Sequence, residues 1–435
     1  MNGYELGQLE RRSGGVLRLQ YAQSWLAQDG AVPLSLRLPL SDSPYDGVRV
    51  ESWFQNLLPD HRAARERLAT ALGAASDSTF DLLTAAGPDC IGAVQLLPIG
   101  EVPNVRVIDA QPLNEPEVAE ILRRARSGAL APAAQGNDLR ISLAGAQDKT
   151  ALLWHTGRWQ RPRGATPTSH ILKLPIGHLP NGLDLRNSVE IEWLCLRLMS
   201  AYGQITARVQ MELFEDQRVL IVERFDRAYS TDGSWIRRLH QEDLLQAHGR
   251  LSRQKYESDG GPGLLDCLNL LRASHQSESD RENFFAVQVL YHWLAASDGH
   301  AKNFSIRIHP GGEFQLTPLY DVLSLWPAIA ARQAHRKEVK MAMAFIGKNR
   351  HTHLDRIRPD HYLETARRAD IPARRCVALL ENLVIRTSAA IEATRAVLPV
   401  DFPESISEPI FNGIQEISRR TATWLAATAR SSPPT

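Results

Sequence analysis

Residues 13–21, SGGVLRLQY, and 31–40, AVPLSLRLPL, alternate apolar with polar side chains and are separated by short polar connections. A period of two suits a half-buried strand, so antiparallel sheet is predicted at the start of the chain. From Trp53 the spacing lengthens. WFQNLLPDHRAARERLATALG predicts helix, with Pro59 and Asp60 as a break and a new start, and with Ala64, Leu68 and Leu72 on the inner face. AVQLLPIG at 93–100 predicts another strand, and EPEVAEILRRAR a helix that starts at Asn114. The small-residue stretch SGALAPAAQGND then predicts a linker, with a domain boundary near 135–140.

RISLAGAQDKTALLW and SHILKLPI alternate around the turn-forming RGATPTS, and are followed by the helical NSVEIEWLCLRLMSAYG and the strand pair QMELFE and RVLIVERFD. These segments predict a mixed sheet with one helix. After about residue 235 the pattern is mostly helical, interrupted by a loop, YESDGGPG, at 256–263 and a hairpin, FSIRIHPGGEFQLTP, at 304–318. The expected class is α+β, with a mixed α/β amino-terminal half that starts β-rich and a mainly helical carboxy-terminal half. The expected division is 1–137, 138–235 and 236–428.

Composition narrows this picture only a little. A chain of 435 residues exceeds what one core usually fills, and 43% hydrophobic with 23% charged residues is ordinary globular usage. A net charge of +1 excludes a bulk polycation, yet residues 331–380 carry 12 Lys or Arg against 5 Asp or Glu, a local basic surplus. That surplus could face a DNA backbone or an acidic partner. Cys90, Cys195, Cys267 and Cys376 form no CxxC pair, which argues against a zinc site or a disulfide framework. MNGYELGQLERRSGG lacks the apolar core of a signal peptide, and no stretch reaches the length of a membrane span, so a cytoplasmic protein without membrane contact is expected.

The candidate chemistry sits in SDGHAKNF, residues 297–304, where a helical apolar run gives way to a cluster of polar groups. Asp298 and Asn303 are followed, after the hairpin, by Asp321 in TPLYDV. Phosphoryl transfer uses such a set: one carboxylate takes the proton of the attacking hydroxyl, and hard oxygen ligands hold the magnesium that bridges phosphate oxygens. The Asp-to-Asn offset and the downstream Asp match the order found in protein kinases, although neither the HRD nor the DFG letters are present. By itself the spacing is unspecific, and His300 and Lys302 could equally be solvated loop residues. Lys173, between Leu172 and Leu174, reads either as a phosphate-binding lysine or as a lysine on a strand's solvent face. Gly145 with its small neighbours could let backbone N–H groups approach phosphates. Glu223, Arg224 and Phe225 end an apolar strand where a hinge could pair with adenine.

Taken together, SLAGAQDKTALL, HILKLP, VERFDR, YESDGGPG, SDGHAKNFS and LTPLYDVLS strongly resemble the HipA family, as do WFQNLLPD and CIGAVQLL nearer the start. The likeness covers nearly the whole chain. It implies a two-lobe, kinase-like serine/threonine kinase, the toxin of a toxin and antitoxin pair with a small DNA-binding HipB partner. By motif, Asp298 matches the catalytic aspartate, Asn303 and Asp321 the magnesium ligands, and Lys173 the lysine on the ATP phosphates. Ala144, Gly145, Ala146, Gln147, Asp148 and Lys149 match the phosphate-covering loop, Glu223, Arg224 and Phe225 the adenine hinge, and His300 and Tyr320 further nucleotide contacts. Ser142 matches an autophosphorylated serine whose modification would repel the neighbouring phosphate loop and switch the kinase off. The resemblance also implies ATP and Mg²⁺ as cofactors, an aminoacyl-tRNA synthetase as substrate, with glutamyl-tRNA synthetase favoured, and joint repression with HipB on operator DNA. A non-catalytic HipB-dependent corepressor and a lipid-kinase-like phosphotransferase stay open as alternatives.

Overall fold

The alternation in LRLQY is realised as the strand Leu17–Tyr21, with Leu17, Leu19 and Tyr21 buried between half-buried Arg18 and Gln20. This strand belongs to a computed structural model that describes residues 1–127 and 147–431. The linker near 135–140, Ser142, Ala144, Gly145, Ala146 and the last residues of the tail lie outside them. The chain forms two compact units, each gathered from separate stretches. The first holds residues up to Pro175, Ala207–Lys255 and Ser305–Thr317; the second holds Ile176–Thr206, Tyr256–Phe304 and the chain from Pro318 onward.

In the first unit Leu17–Tyr21 pairs antiparallel with Gly7–Arg11 and with Tyr45–Asp46. The strand expected over 31–40 does not form. Pro33 and Pro39 have no N–H to offer a ladder. Side chains take donors that remain: Leu34 N–H bonds Tyr21 Oη at 2.8 Å and Leu36 N–H bonds Glu242 at 3.0 Å. AVQLLPIG forms no strand either, because its backbone is tied at Leu96 to Gly87 O (2.8 Å) while Pro98 interrupts the donors and Ile99 is exposed. The break at Pro59 separates the helices Val48–Gln55 and Arg62–Leu72, and Trp53, Phe54, Leu58, Leu82 and Leu83 build the core beside the sheet.

A six-stranded sheet follows in the same unit, in the order Val209–Phe214, Gln217–Glu223, His170–Lys173, Lys149–His155, Arg158–Pro162 and Ala110–Pro112. Every pairing in it is antiparallel, not mixed. Two-residue turns impose this on two of the pairings, at Glu215–Asp216 and Thr156–Gly157, since only antiparallel neighbours can be joined so tightly. At Thr156 and Gly157 both φ angles are positive, 52° and 75°, as a primed hairpin turn requires. The helix Glu115–Ser127 starts at Asn114, whose side chain accepts from Glu117 N–H at 2.9 Å while Glu117 accepts from Asn114 N–H at 2.8 Å. It packs Val118, Ala119 and Leu122 on Leu152, Leu172 and Ile221. Lys173 pairs in register with Leu220, one step from that apolar row, so it lies on the opposite face of the sheet. The predicted 304–318 hairpin is present as Ser305–Ile308 and Phe314–Leu316, extended by Gln241–Asp243 into three strands.

The second unit is mainly helical, with Ser188–Ala201, Ser277–Trp293, Pro359–Arg368, Ala373–Arg395 and Glu404–Ser431 as its larger helices. A hairpin, Lys340–Ile346 with Arg350–His353, interrupts the helical pattern. No helix among the described residues is long and apolar enough to cross a membrane.

One imidazole in each unit makes stability depend on pH. Burial holds His240 of the first unit and His292 of the second down to about 4. His292 bonds Tyr362 Oη at 2.6 Å and Leu354 O at 2.9 Å, and His240 bonds Leu34 O at 2.9 Å. The unfolded chain takes up these protons near pH 6.5, so the stability from each group is present above that value and is lost as pH falls toward 4. At pH 5 the loss is on the order of 2 kcal/mol per group. Glu242 of the first unit, raised by burial to about 8, acts in the opposite sense over the same range, so the His292 contribution is read by difference: His292→Gln, although less stable at pH 7, is expected to lose less Tm than wild type between pH 7 and pH 5.

Candidate active site

The helix Ser277–Trp293 places Phe284, Phe285, Leu290, Tyr291 and Trp293 in the core of the second unit and so fixes where SDGHAKNF begins. The loop then closes on itself. Asp298 O accepts from His300 N–H and from Asn303 Nδ2, both at 2.8 Å, and a short 3-10 turn spans Ala301–Asn303. The Asp298 side chain stays 51% exposed, with His300 Nε2 at 3.9 Å from Oδ1. Tyr256 Oη donates to the same Oδ1 at 2.5 Å, and His300 meets the Tyr256 ring edge to face, 5.0 Å between centroids. Lys302 is buried, not solvated, and its carbonyl accepts from Tyr320 Oη at 3.2 Å.

Gly299 explains how close the loop lies to the helix. A Cβ there would fall 2.4 and 2.6 Å from two ring carbons of the buried Tyr291. Gly299→Ala must therefore displace either the ring or the loop, and overpacking of this kind costs about 1–3 kcal/mol. The expected result is a Tm lower by a few degrees and at least about a tenfold loss of activity. Wild-type turnover in this variant would show that the Tyr291 ring does not set the position of Asp298.

Asp321 arrives by a different route. Leu319 N–H bonds Ile205 O at 2.9 Å, which fixes the chain just before it, and Asp321 N–H bonds Glu192 Oε1 at 3.2 Å. Its φ of 60° is the left-handed conformation, uncommon outside glycine and concentrated at functional positions. Glu192, 1% exposed on the helix Ser188–Ala201, is the group that takes the Asp321 N–H. Asn303 commits its amide nitrogen to Asp298 O, so its carbonyl oxygen is the part that remains to act as a ligand. Among the described residues no three His, Cys, Asp or Glu side chains gather as a metal cage. One carboxylate and one amide oxygen suit Mg²⁺, which keeps waters and substrate phosphates as its other ligands.

The remaining predicted residues belong to the first unit. Lys173 is only 7% exposed, which removes the reading of a lysine on a solvent face. Gln147 Nε2 bonds Leu174 O at 2.6 Å, and Leu174 N–H bonds Asp148 O at 3.0 Å, so the start of the strand that holds Lys149 is fastened beside Lys173. Lys149 pairs in register with Lys173 itself, and burial raises the Asp148 carboxyl. Glu223 is partly exposed, 3.6 Å from Arg208, and Phe225 O accepts from Arg307 at 2.7 Å.

Arg224 differs from the expectation. Its side chain turns inward, bonding Asp226, Thr168 Oγ1 and Cys90 O, with Arg227 and Arg238 gathered at Asp89 close by. The desolvation cost of burying these charges is offset by their pairing, which holds the Asp226 carboxyl far below its usual range. The Arg224 side chain is therefore spent inside the unit, its N–H donates to Ser169 O at 2.9 Å, and its carbonyl oxygen accepts from Arg227 N–H at 3.2 Å. Tyr256 and Glu192 were not found from sequence, since a tyrosine in a polar loop and a glutamate on a helix resemble surface residues.

Known proteins resemble this chain over most of its length. Residues 141–391 match the family model of the HipA-like C-terminal domain, and residues 1–97 that of the HipA N-terminal domain. Y4mE of Sinorhizobium fredii, provisionally named a kinase, is 34% identical over 350 residues, 79% of this chain and 81% of the relative. The serine/threonine-protein kinase toxin HipA of Shewanella oneidensis is 27% identical over 319 residues, covering 71% of this chain and 70% of that one. Among solved structures, Shewanella oneidensis HipA, in a complex with HipB and operator DNA, superposes with a TM-score of 0.79 at 21% identity, over 98% of each chain. With both domain models matched in order and a one-third-identical relative aligned over most of its length, the chain belongs to the HipA family.

Proposed function

We propose that this protein is a serine/threonine kinase that transfers the ATP γ-phosphate to a protein hydroxyl, and that it is the toxin of a toxin–antitoxin pair. The observation that carries this reading is the closed loop in which Asp298 O binds Asn303 Nδ2 while the Asp298 carboxylate stays half exposed. A carboxylate so placed can accept the proton of an incoming hydroxyl. Lys173 supplies a positive charge for the phosphates, and Gln147, Asp148 and Lys149 belong to the segment that covers them. Glu223 and Phe225, with at most the carbonyl oxygen of Arg224, serve as adenine hinge, and His300 and Tyr320 as further nucleotide contacts. Asn303 and Asp321 would hold Mg²⁺, which offsets phosphate charge when bound. On this division of labour 1–137 is an amino-terminal subdomain, 138–235 binds nucleotide and 236–428 carries the catalytic loop.

The likeness to HipA supports the finer parts of the proposal: a HipB-like antitoxin as partner, operator DNA reached through it, self-inactivation by phosphorylation of Ser142, and an aminoacyl-tRNA synthetase, glutamyl-tRNA synthetase first, as substrate. The basic surplus over 331–380 is a weaker support for DNA contact than its composition suggests. Arg336, Arg350, Arg367, Arg368 and Arg375 are all paired with glutamates. Lys337, Lys340 and Lys348 are exposed and are the better candidates to meet phosphate. The proposal is tested by incubating the protein with γ-labelled ATP, alone and with cell extract; absence of label on every protein would overturn it.

A further inference from the structure

In the sequence, the loop YESDGGPG reads only as an interruption between helices. In the second unit it delivers Tyr256 to the catalytic carboxylate. We propose that Tyr256 is the positioning residue of Asp298, holding one carboxylate oxygen so that the other is presented to the acceptor hydroxyl; this rests on the kinase reading above. Asp298 is half exposed on a loop, and a carboxylate in that setting has several rotamers of similar energy. The Tyr256 hydroxyl selects one of them by donating to Oδ1 at 2.5 Å, a charge-assisted bond.

Tyr256 is itself held. Its ring meets the buried His300 edge to face, with 78° between the planes. Its neighbour Glu257 is clipped to the hairpin Lys340–Ile346 and Arg350–His353: Ala344 N–H donates to Oε2 at 2.6 Å and Arg350 lies 3.1 Å from Oε1. Gly263 lets this carboxylate fold back across its own loop, since a Cβ there would lie 2.6 Å from Glu257 Cδ. A residue that only filled space would need none of this fastening.

In the transfer step the acceptor hydroxyl oxygen bonds to the γ-phosphorus, the bond to the β,γ-bridging oxygen breaks and ADP departs. The hydroxyl proton passes to Asp298 Oδ2, and Tyr256 keeps its own proton on Oδ1. Tyr256 thus takes no part in the bond changes but fixes the group that does.

The test compares Tyr256→Phe, Glu257→Gln and the double variant with wild type, under saturating ATP and protein substrate, each checked for an intact fold by its Tm. Tyr256→Phe keeps the ring and removes only Oη, and its kcat is expected to fall roughly 10- to 100-fold, with KM for ATP and protein unchanged within about twofold. Glu257→Gln is expected to lower kcat as well, and the double variant to lose no more than Tyr256→Phe alone, because both act through one hydroxyl. A purely structural tyrosine would give additive losses. A kcat in Tyr256→Phe that is unchanged or raised, or full additivity in the double variant, overturns the inference. If wild type transfers no phosphate, the kinase reading falls and this inference with it; if wild type is active and Tyr256→Phe equals it, only this inference falls.

Discussion

Asp298→Asn is expected to lower phosphoryl transfer by about 10²- to 10⁴-fold while leaving the fold and ATP affinity intact. The loop supports this separation of effects. Its closing bonds run to the Asp298 backbone carbonyl, from His300 N–H and Asn303 Nδ2, and neither depends on the side chain. Gly299 still lies against Tyr291. An asparagine oxygen can still accept from Tyr256 Oη, so the rotamer is retained. What is lost is the capacity to take up a proton, because an amide is not a base at neutral pH. Turnover of γ-labelled ATP, with Tm and nucleotide affinity measured on the same preparation, checks this. A variant with near-wild-type turnover would remove Asp298 from the role of base.

The second large effect concerns Asp321. Asp321→Asn preserves the backbone, because asparagine is among the few residues that readily adopt a φ near 60° and its N–H can still bond Glu192. It removes the one carboxylate of the Asn303 and Asp321 pair. The strengthening of ATP-analogue binding by Mg²⁺, read by calorimetric titration with and without the metal, is expected to weaken by at least about 10- to 100-fold. Binding in the absence of Mg²⁺ is expected to change little. An unaltered dependence on Mg²⁺ would mean that Asp321 does not hold the ion.

These two residues differ in how visible they are to sequence reasoning. The groups that close the Asp298 loop lie within six residues, but their spacing is unspecific by itself, and only the order of Lys173, Phe225 and Asp321 around them points to kinase chemistry. Lys173 stands out because a lysine between two leucines on a strand is costly to bury unless it is paired, and it is buried. Tyr256 lies 42 residues from Asp298 in a loop of turn-forming letters, and only tertiary packing brings the two together. Glu192 is hidden for a related reason, since no sequence pattern reveals that its carboxylate accepts a distant N–H. In the fold, hydrophobic alternation located the strands whose N–H groups are free to pair. It failed at 31–40, where prolines remove donors and Tyr21 and Glu242 capture others. Arg224 shows the opposite limit: at a strand end its charge suggests a ligand contact, and only burial shows that it is spent inside the unit.

The interleaved assembly of the two units bears on how the protein is made. The first unit lacks the middle and outer strands of the Gln241–Asp243 sheet until Ser305–Thr317 has been synthesised. At about 5–20 residues per second, a ribosome needs roughly 16 to 60 s to reach that point. For roughly the last 4 to 15 s of that interval, from Asp243 to Thr317, the nascent chain carries an unpaired strand at Gln241–Asp243, and the second unit, which begins at Ile176, is also unfinished. The first unit can close once Thr317 has been made, whereas the second still lacks everything from Pro318 onward, and a chain cut short before Thr317 is released without either unit complete.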